Sequence, residues 1–166
     1  MIAPAGMTPR GIAASAGLGS ALLLAAALAF QAAGYVPCEL CILQRWPHLA
    51  AALIGALILV AGWSRALAAL GLLAALTAAV FAVYHVGVEW QWWAGPTACS
   101  GGVGDLAQLT TAELMARLNA APVVRCDQPA FVFLGLSMAG WNALASAALA
   151  AVWAMSFEAP RARPIR

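Results

Sequence analysis

Ala66-Leu-Ala-Ala-Leu-Gly71-Leu-Leu-Ala-Ala-Leu-Thr77-Ala-Ala-Val-Phe-Ala-Val-Tyr84-His85-Val-Gly-Val88 is a run of 23 residues without a charge, closed by Arg65 on one side and Glu89 on the other. A helix crosses the hydrocarbon core of a bilayer in about 20 residues, and each charge at its centre costs roughly 2.5 to 3.5 kcal/mol. Charges therefore act as fences, and three further intervals are long enough to cross. They are Gly11 to Gly34 with 24 residues, Trp46 to Ser64 with 19, and Gln128 to Phe157 with 30. The last has surplus, so Phe131 to about Gly140 is expected to begin at or along the interface before the helix descends. The whole chain agrees: 64% of its 166 residues are hydrophobic, 8% are charged, and the mean hydropathy is +0.90. Such a composition excludes a water-soluble globular domain. The basic residues are eight arginines with no lysine, against six acids, too few and too scattered for a nucleic-acid footprint.

The expected fold is an all-α integral membrane protein, a single membrane domain over 1–166. It forms a four-transmembrane-helix bundle with helices at about 11–34, 46–64, 66–88 and 131–157. Loops at about 35–45 and 89–128 join them. Arginine bias sets the orientation. Arg10, Arg65, Arg161, Arg163 and Arg166 lie on one side against Arg45, Arg117 and Arg125 on the other, which makes the first side cytoplasmic. Both termini are then cytoplasmic and both loops periplasmic if the host is a bacterium. Trp46, Trp90, Trp92 and Trp93 fall near the outer boundary, where an aromatic belt belongs. Gly11, Ser15 and Gly19 share a face at four-residue spacing and suit close helix packing in lipid. The first apolar run is too long for a secretory signal, whose apolar core spans about 7 to 15 residues. In the long loop, Thr110-Thr111-Ala112-Glu113 spells a capping box for a short amphipathic helix from about Thr111 to Asn119.

All four cysteines fall in the outer loops: Cys38 and Cys41 in the short one, Cys99 and Cys126 in the long one. Four cysteines allow three pairings, and proximity favours Cys38 with Cys41 and Cys99 with Cys126. A structural staple is one reading, and a zinc site drawing on His48 or His85 is another. A disulfide closing Cys38-Glu39-Leu40-Cys41 constrains the unfolded chain very little, however, so redox exchange fits that spacing better. Cys41 is expected at a helix N-terminus, which favours a thiolate, with Arg45 one turn on and on the same face. A thiolate at headgroup depth has a plausible acceptor in a lipid-soluble quinone, whose two-electron reduction matches a dithiol. Arg45 would donate to a quinone oxygen where negative charge develops.

Pro37-Cys38-Glu39-Leu40-Cys41-Ile42-Leu43-Gln44-Arg45 is similar to the C-x-L-C-x-x-x-R signature of the DsbB family of disulfide bond formation proteins. Phe133-Leu-Gly-Leu-Ser-Met-Ala-Gly-Trp-Asn142 at the last span adds to the resemblance, as do Cys99 and Cys126 in a long second loop. The resemblance runs from Gly34 to Ser146. It implies a protein-disulfide oxidoreductase of the bacterial inner membrane that reoxidises a DsbA-like periplasmic protein of thioredoxin fold and passes the electrons to ubiquinone or menaquinone. It further implies catalytic roles for Cys38, Cys41, Cys99 and Cys126, with the partner attacking at Cys99, Cys126 exchanging with Cys38, and Cys41 facing the quinone. Arg45 is then a quinone-binding residue. His85 corresponds loosely to a family histidine near the quinone, and no resident metal is implied. Two alternatives stand: a quinone reductase of the vitamin K epoxide reductase type, in which the loop pair precedes the CxxC, and a disulfide-stapled membrane subunit without activity.

Overall fold

The computed structural model describes residues 7–96, 110–113, 115 and 124–160. Helix α1 runs Pro9–Ala32, α2 Glu39–Leu43, α3 Arg45–Ala61 and α4 Arg65–Glu89. A two-stranded ribbon, β1 Val132–Phe133 and β2 Leu136–Ser137, leads into α5, Met138–Glu158. Four helical stretches, with α2 and α3 counted as one, are long and apolar enough to cross a membrane.

The starts of these helices are written in their capping residues. Thr8 accepts from the Gly11 N–H ahead of Pro9, Ser64 from Leu67 and Ser137 from Gly140, each side chain satisfying a backbone donor that the first turn leaves free. The second span differs from the expectation of a start near Trp46. Helix begins at Glu39, with Cys38 as its cap, and is interrupted at Gln44. Pro47 accounts for the interruption. It has no N–H for the Leu43 carbonyl, and its ring crowds that carbonyl, so α2 stops at Leu43 and α3 restarts at Arg45. The expected run from Phe131 also has a definite shape, since residues 132–137 form a hairpin with Leu134 and Gly135 both at positive φ.

Inside and outside are inverted relative to a soluble bundle. On α4 the buried positions Ala68, Gly71, Ala75, Ala78 and Ala82 recur every three or four residues and are all small, while Leu70, Leu73, Leu76, Val80 and Val83 are exposed. Lipid offers large apolar side chains as good an environment as the protein does, so close backbone approach between helices is what holds the bundle. At the α1–α3 contact a Cβ on Gly17 would sit 2.6 Å from the Gly55 Cα, so the helices touch backbone to backbone there. The fully buried Trp153 of α5 lies flat against Gly71 in the same manner. Of the expected small face of α1, Gly19 does pack closely, a Cβ there lying 2.5 Å from Leu149 Cδ2 of α5, whereas Ser15 is exposed and the buried stripe is Ile12, Ala13, Ala16, Gly17 and Ser20. Register against Gly55 selects that stripe over the neighbouring one.

At one end of the bundle Arg10 donates to the Leu59 carbonyl, tying α1 to α3. At the other, which carries the cysteines, the Ser137 hydroxyl donates to Glu89 and ties α5 to α4. Trp46, Trp90 and Trp92 are exposed at that same end. The capping box is present in both directions, Thr110 N–H donating to the Glu113 carboxylate at 3.0 Å and Glu113 N–H to the Thr110 hydroxyl at 3.4 Å. Residues 111–113 and 115 are helical, and the rest of the helix expected through Asn119 lies outside the described residues.

Candidate functional site: a thiol pair at the mouth of an apolar cavity

Cys38 and Cys41 meet because one helical turn separates them. Cys38 caps α2 with its sulfur, which accepts from the Cys41 N–H at 3.2 Å, and the two Sγ atoms are 2.7 Å apart. Both are free thiols. A disulfide needs an S–S distance of about 2.05 Å, so the pair closes by a sub-ångström movement without rearranging the backbone. The Cys41 sulfur beside it, and after that burial, push the Cys38 thiol above the ordinary thiol range.

Cys126 arrives from the long loop and is the third sulfur of this end. It is 1% exposed and packs with Cys38, Leu40 and Val88 in one apolar cluster, bordered by Cys41, Tyr84 and Val124. It is held in a disulfide, and the expected pairing with Cys99 falls on a residue outside those described. On either side of it Arg125 and Asp127 pair, with Arg125 Nε donating to Asp127 Oδ1 at 2.8 Å. That bond holds the Asp127 carboxyl below the usual carboxylate range.

Arg45 opens α3 beside the thiols. Its Nη1 donates to Gln31 Oε1 of α1 at 2.6 Å, while its buried Nε has no hydrogen-bond partner among the described residues. Both Arg45 and Glu89 lie within electrostatic reach of Cys41. Cys41 and Arg45 share the wall of a cavity of about 610 Å³, within the range of small-molecule pockets. Its walls are mostly apolar, drawn from Leu23, Ala27 and Phe30 of α1, Phe131 before β1, and Trp141 of α5. Its polar lining is confined to a few groups, among them Gln44, His48, His85 and Asn142.

His85 stands between the sulfurs and this polar wall. Its Nε2 is 3.6 Å from Cys38 Sγ, and the ring also bonds the Cys126 backbone. Its Nδ1 accepts from Gln44 Nε2 at 2.8 Å, which leaves the ring proton on Nε2, facing sulfur. Cys38, Cys41 and His85 present three soft atoms within 4.8 Å of one another. With its proton on Nε2 the ring is set to donate to a thiolate and has no lone pair there for a metal.

Of the residues expected from sequence, Cys38, Cys41, Cys126, Arg45 and His85 come together at this end, and Cys99 is outside the described residues. The cysteine and arginine spacing did not point to Gln44, to the pair of His48 and Asn142, or to the Glu89–Ser137 tie. Their one signal was chemical: polar side chains inside runs that otherwise exclude them.

The family model described as disulfide bond formation protein DsbB matches residues 9–156, most of the chain. Among curated proteins and among solved structures, none matches.

Proposed function

The chain belongs to the disulfide bond formation protein DsbB family, and from that premise we propose that it is a quinone-reducing thiol oxidase of the bacterial inner membrane. The single observation that carries the reading is the clustering of three cysteines, Cys38, Cys41 and Cys126, of which Cys41 lines an apolar cavity that Arg45 also lines. A staple requires no cavity, and a cavity for a neutral planar ring requires few polar groups.

The electrons enter at the long loop. The thiolate of a reduced DsbA-like protein attacks Cys99, a sulfur–sulfur bond forms between them, and Cys126 leaves as a thiolate. Cys126 then attacks Cys38, breaking the Cys38–Cys41 disulfide and leaving the charge on Cys41. Burial of Cys126 against Cys38 supports this step, since exchange needs contact between the sulfurs and little else. The partner's second thiol then attacks the mixed disulfide, completing its own disulfide and releasing Cys99, and Cys99 attacks Cys126, restoring the loop disulfide and releasing Cys38, so that the two electrons and two protons the partner gave up reside on Cys38 and Cys41. A bound ubiquinone or menaquinone supplies the acceptor for both electrons and both protons. Within the chain, Cys41 presents its sulfur to the cavity, Arg45 stabilises negative charge there, and apolar walls exclude water.

The cavity fits such a ring on its own evidence. Arg45 Nε is buried in an apolar wall without a partner among the described residues, an arrangement that costs free energy unless an acceptor is supplied. The orientation proposed with this reading puts the cysteine-bearing end in the periplasm and both termini in the cytoplasm, on the arginine bias of the flanks. The test is reconstitution. Purified protein mixed with a reduced DsbA-like partner should oxidise the partner catalytically with ubiquinone or menaquinone analogues present and only stoichiometrically without them. Cys41→Ser should abolish turnover with either quinone. Catalytic oxidation that does not require a quinone would overturn the reading.

A further inference from the structure

Five buried or half-buried side chains, on α3, α4 and α5 and at the two caps of α2, form a single hydrogen-bonded chain that ends at Cys38. His48 Nε2 of α3 meets Asn142 Oδ1 of α5 at 2.9 Å, and an amide oxygen only accepts, so the histidine donates. Asn142 Nδ2 donates to Gln44 Oε1 at 2.6 Å, Gln44 Nε2 to His85 Nδ1 of α4 at 2.8 Å, and His85 Nε2 faces Cys38 Sγ at 3.6 Å. Two further bonds fix the sense of the chain. Gln44 Nε2 also donates to the Leu40 carbonyl at 3.1 Å, which prevents its amide from turning over, and the Ser146 hydroxyl donates to Asn142 Oδ1 at 3.4 Å. The donors from His48 to His85 are therefore aligned in one sense, and the Nε2 proton at the end of the chain is shared between the Cys38 sulfur and the Cys126 backbone carbonyl. Gln44, His48 and His85 are almost completely buried, and the other buried polar side chains among the described residues are the small serines Ser20, Ser146 and Ser156.

We infer that Gln44 and Asn142 are positioning residues which hold the ring proton of His85 on Nε2 and, through the aligned chain, stabilise negative charge on the Cys38 sulfur. Hydrogen bonds in series polarise one another, and an apolar surround leaves their field unscreened. Cys38 carries negative charge whenever it acts as the closing nucleophile or as the leaving sulfur in exchange. Its neighbours oppose that charge: the Cys41 sulfur is 2.7 Å away, and the other facing sulfur, that of Cys126, is tied up in a disulfide. Of the nearby charges, Arg45 and Glu89 act on Cys41, and Glu39, the residue after Cys38 in the chain, adds a further negative charge in the first turn of α2. His85 is the donor that answers at Cys38 itself. The inference deepens the thiol-oxidase reading and rests on it for its purpose, though the charge on Cys38 is measurable without quinone or partner.

The experiment uses full-length protein in detergent with Cys41, Cys99 and Cys126 replaced by serine, so that Cys38 is the remaining thiol. Its thiolate absorbance is titrated as a difference against the same protein carrying Cys38→Ser. Gln44→Met, which keeps side-chain volume and removes the donor to His85, should move the midpoint upward by roughly one pH unit. Asn142→Leu, one link further away, should move it in the same direction by less. Should either variant fail to yield folded protein, the other carries the test. In a His85→Phe background, where the link to sulfur is absent, neither substitution should move the midpoint further; a merely structural role would not produce that coupling. Unchanged midpoints, or equal shifts with and without His85, would overturn the inference while leaving quinone-dependent turnover by the wild type untouched. Loss of turnover in the wild type, conversely, would remove the proposed function and leave this titration standing.

Discussion

Arg45→Ala is expected to slow quinone reduction by about 10²- to 10³-fold, the cost of removing one donor from a developing negative charge in a water-excluded site. The guanidinium is placed for this at the first turn of α3, on the wall of the cavity that Cys41 also lines. Among the described residues only one of its donors is committed, to Gln31, and its buried Nε lacks a partner. The fold should survive, because the bundle rests on contacts such as Gly17 with Gly55 and Trp153 with Gly71, none of which involves Arg45. Exchange between the partner and the long loop should stay near the wild-type rate, since that chemistry takes place at Cys99. Arg45→Lys should fall between the two, restoring charge without the planar fork. Stopped-flow measurement of quinone absorbance checks all three, and wild-type turnover in Arg45→Ala would leave the residue as an interfacial anchor with a bond to α1.

Cys126→Ser and Cys99→Ser should each abolish turnover and yet differ completely in what they trap. With Cys126 replaced, Cys99 is a free thiol with no resolving thiol inside the chain, and its attack on the disulfide of an oxidised DsbA-like partner should accumulate a covalent complex on non-reducing gels. With Cys99 replaced, that band should be absent. The structure supplies the reason for the asymmetry. Cys126 is 1% exposed and enclosed by Cys38, Leu40 and Val88, so another protein's thiolate has no line of approach to it. Exchange requires an accessible sulfur. A complex trapped by Cys99→Ser and not by Cys126→Ser would reverse the order of the relay.

The spans were readable because charge is so expensive in lipid that eight arginines and six acids punctuate the chain almost without help from propensity. The same argument placed Cys38, Cys41 and Arg45 near one boundary. It was blind to the turn that joins them: the interval from Trp46 ignores Glu39, whose charge sits in the first turn of α2, and the effect of Pro47 is to split the helix, not to end it. The hairpin at 132–137 was illegible for another reason. Its two positive-φ residues are Leu134 and Gly135, and a leucine there carries no turn signal. On α1 several small-residue stripes compete, and the choice between Ser15 and Gly17 is made by Gly55 on another helix. The chain from His48 to Cys38 depends on the orientation of two amides whose partners lie on different helices, so sequence spacing cannot encode it. What sequence does show there is a set of polar side chains in apolar spans, a pattern that marks function in membrane proteins.

The central claim, that the dithiol of Cys38 and Cys41 delivers its electrons to a quinone in the adjoining cavity, is tested most directly without any partner protein. Purified protein bearing free Cys38 and Cys41 and an intact Cys126 disulfide is mixed anaerobically with ubiquinone or menaquinone analogue, and quinone absorbance and free thiols are followed together. The account predicts that one quinone is lost for each pair of thiols, with the two signals changing in step and neither changing in Cys41→Ser. Thiols that persist in the presence of both quinones, or that disappear while the quinone absorbance holds, would contradict it.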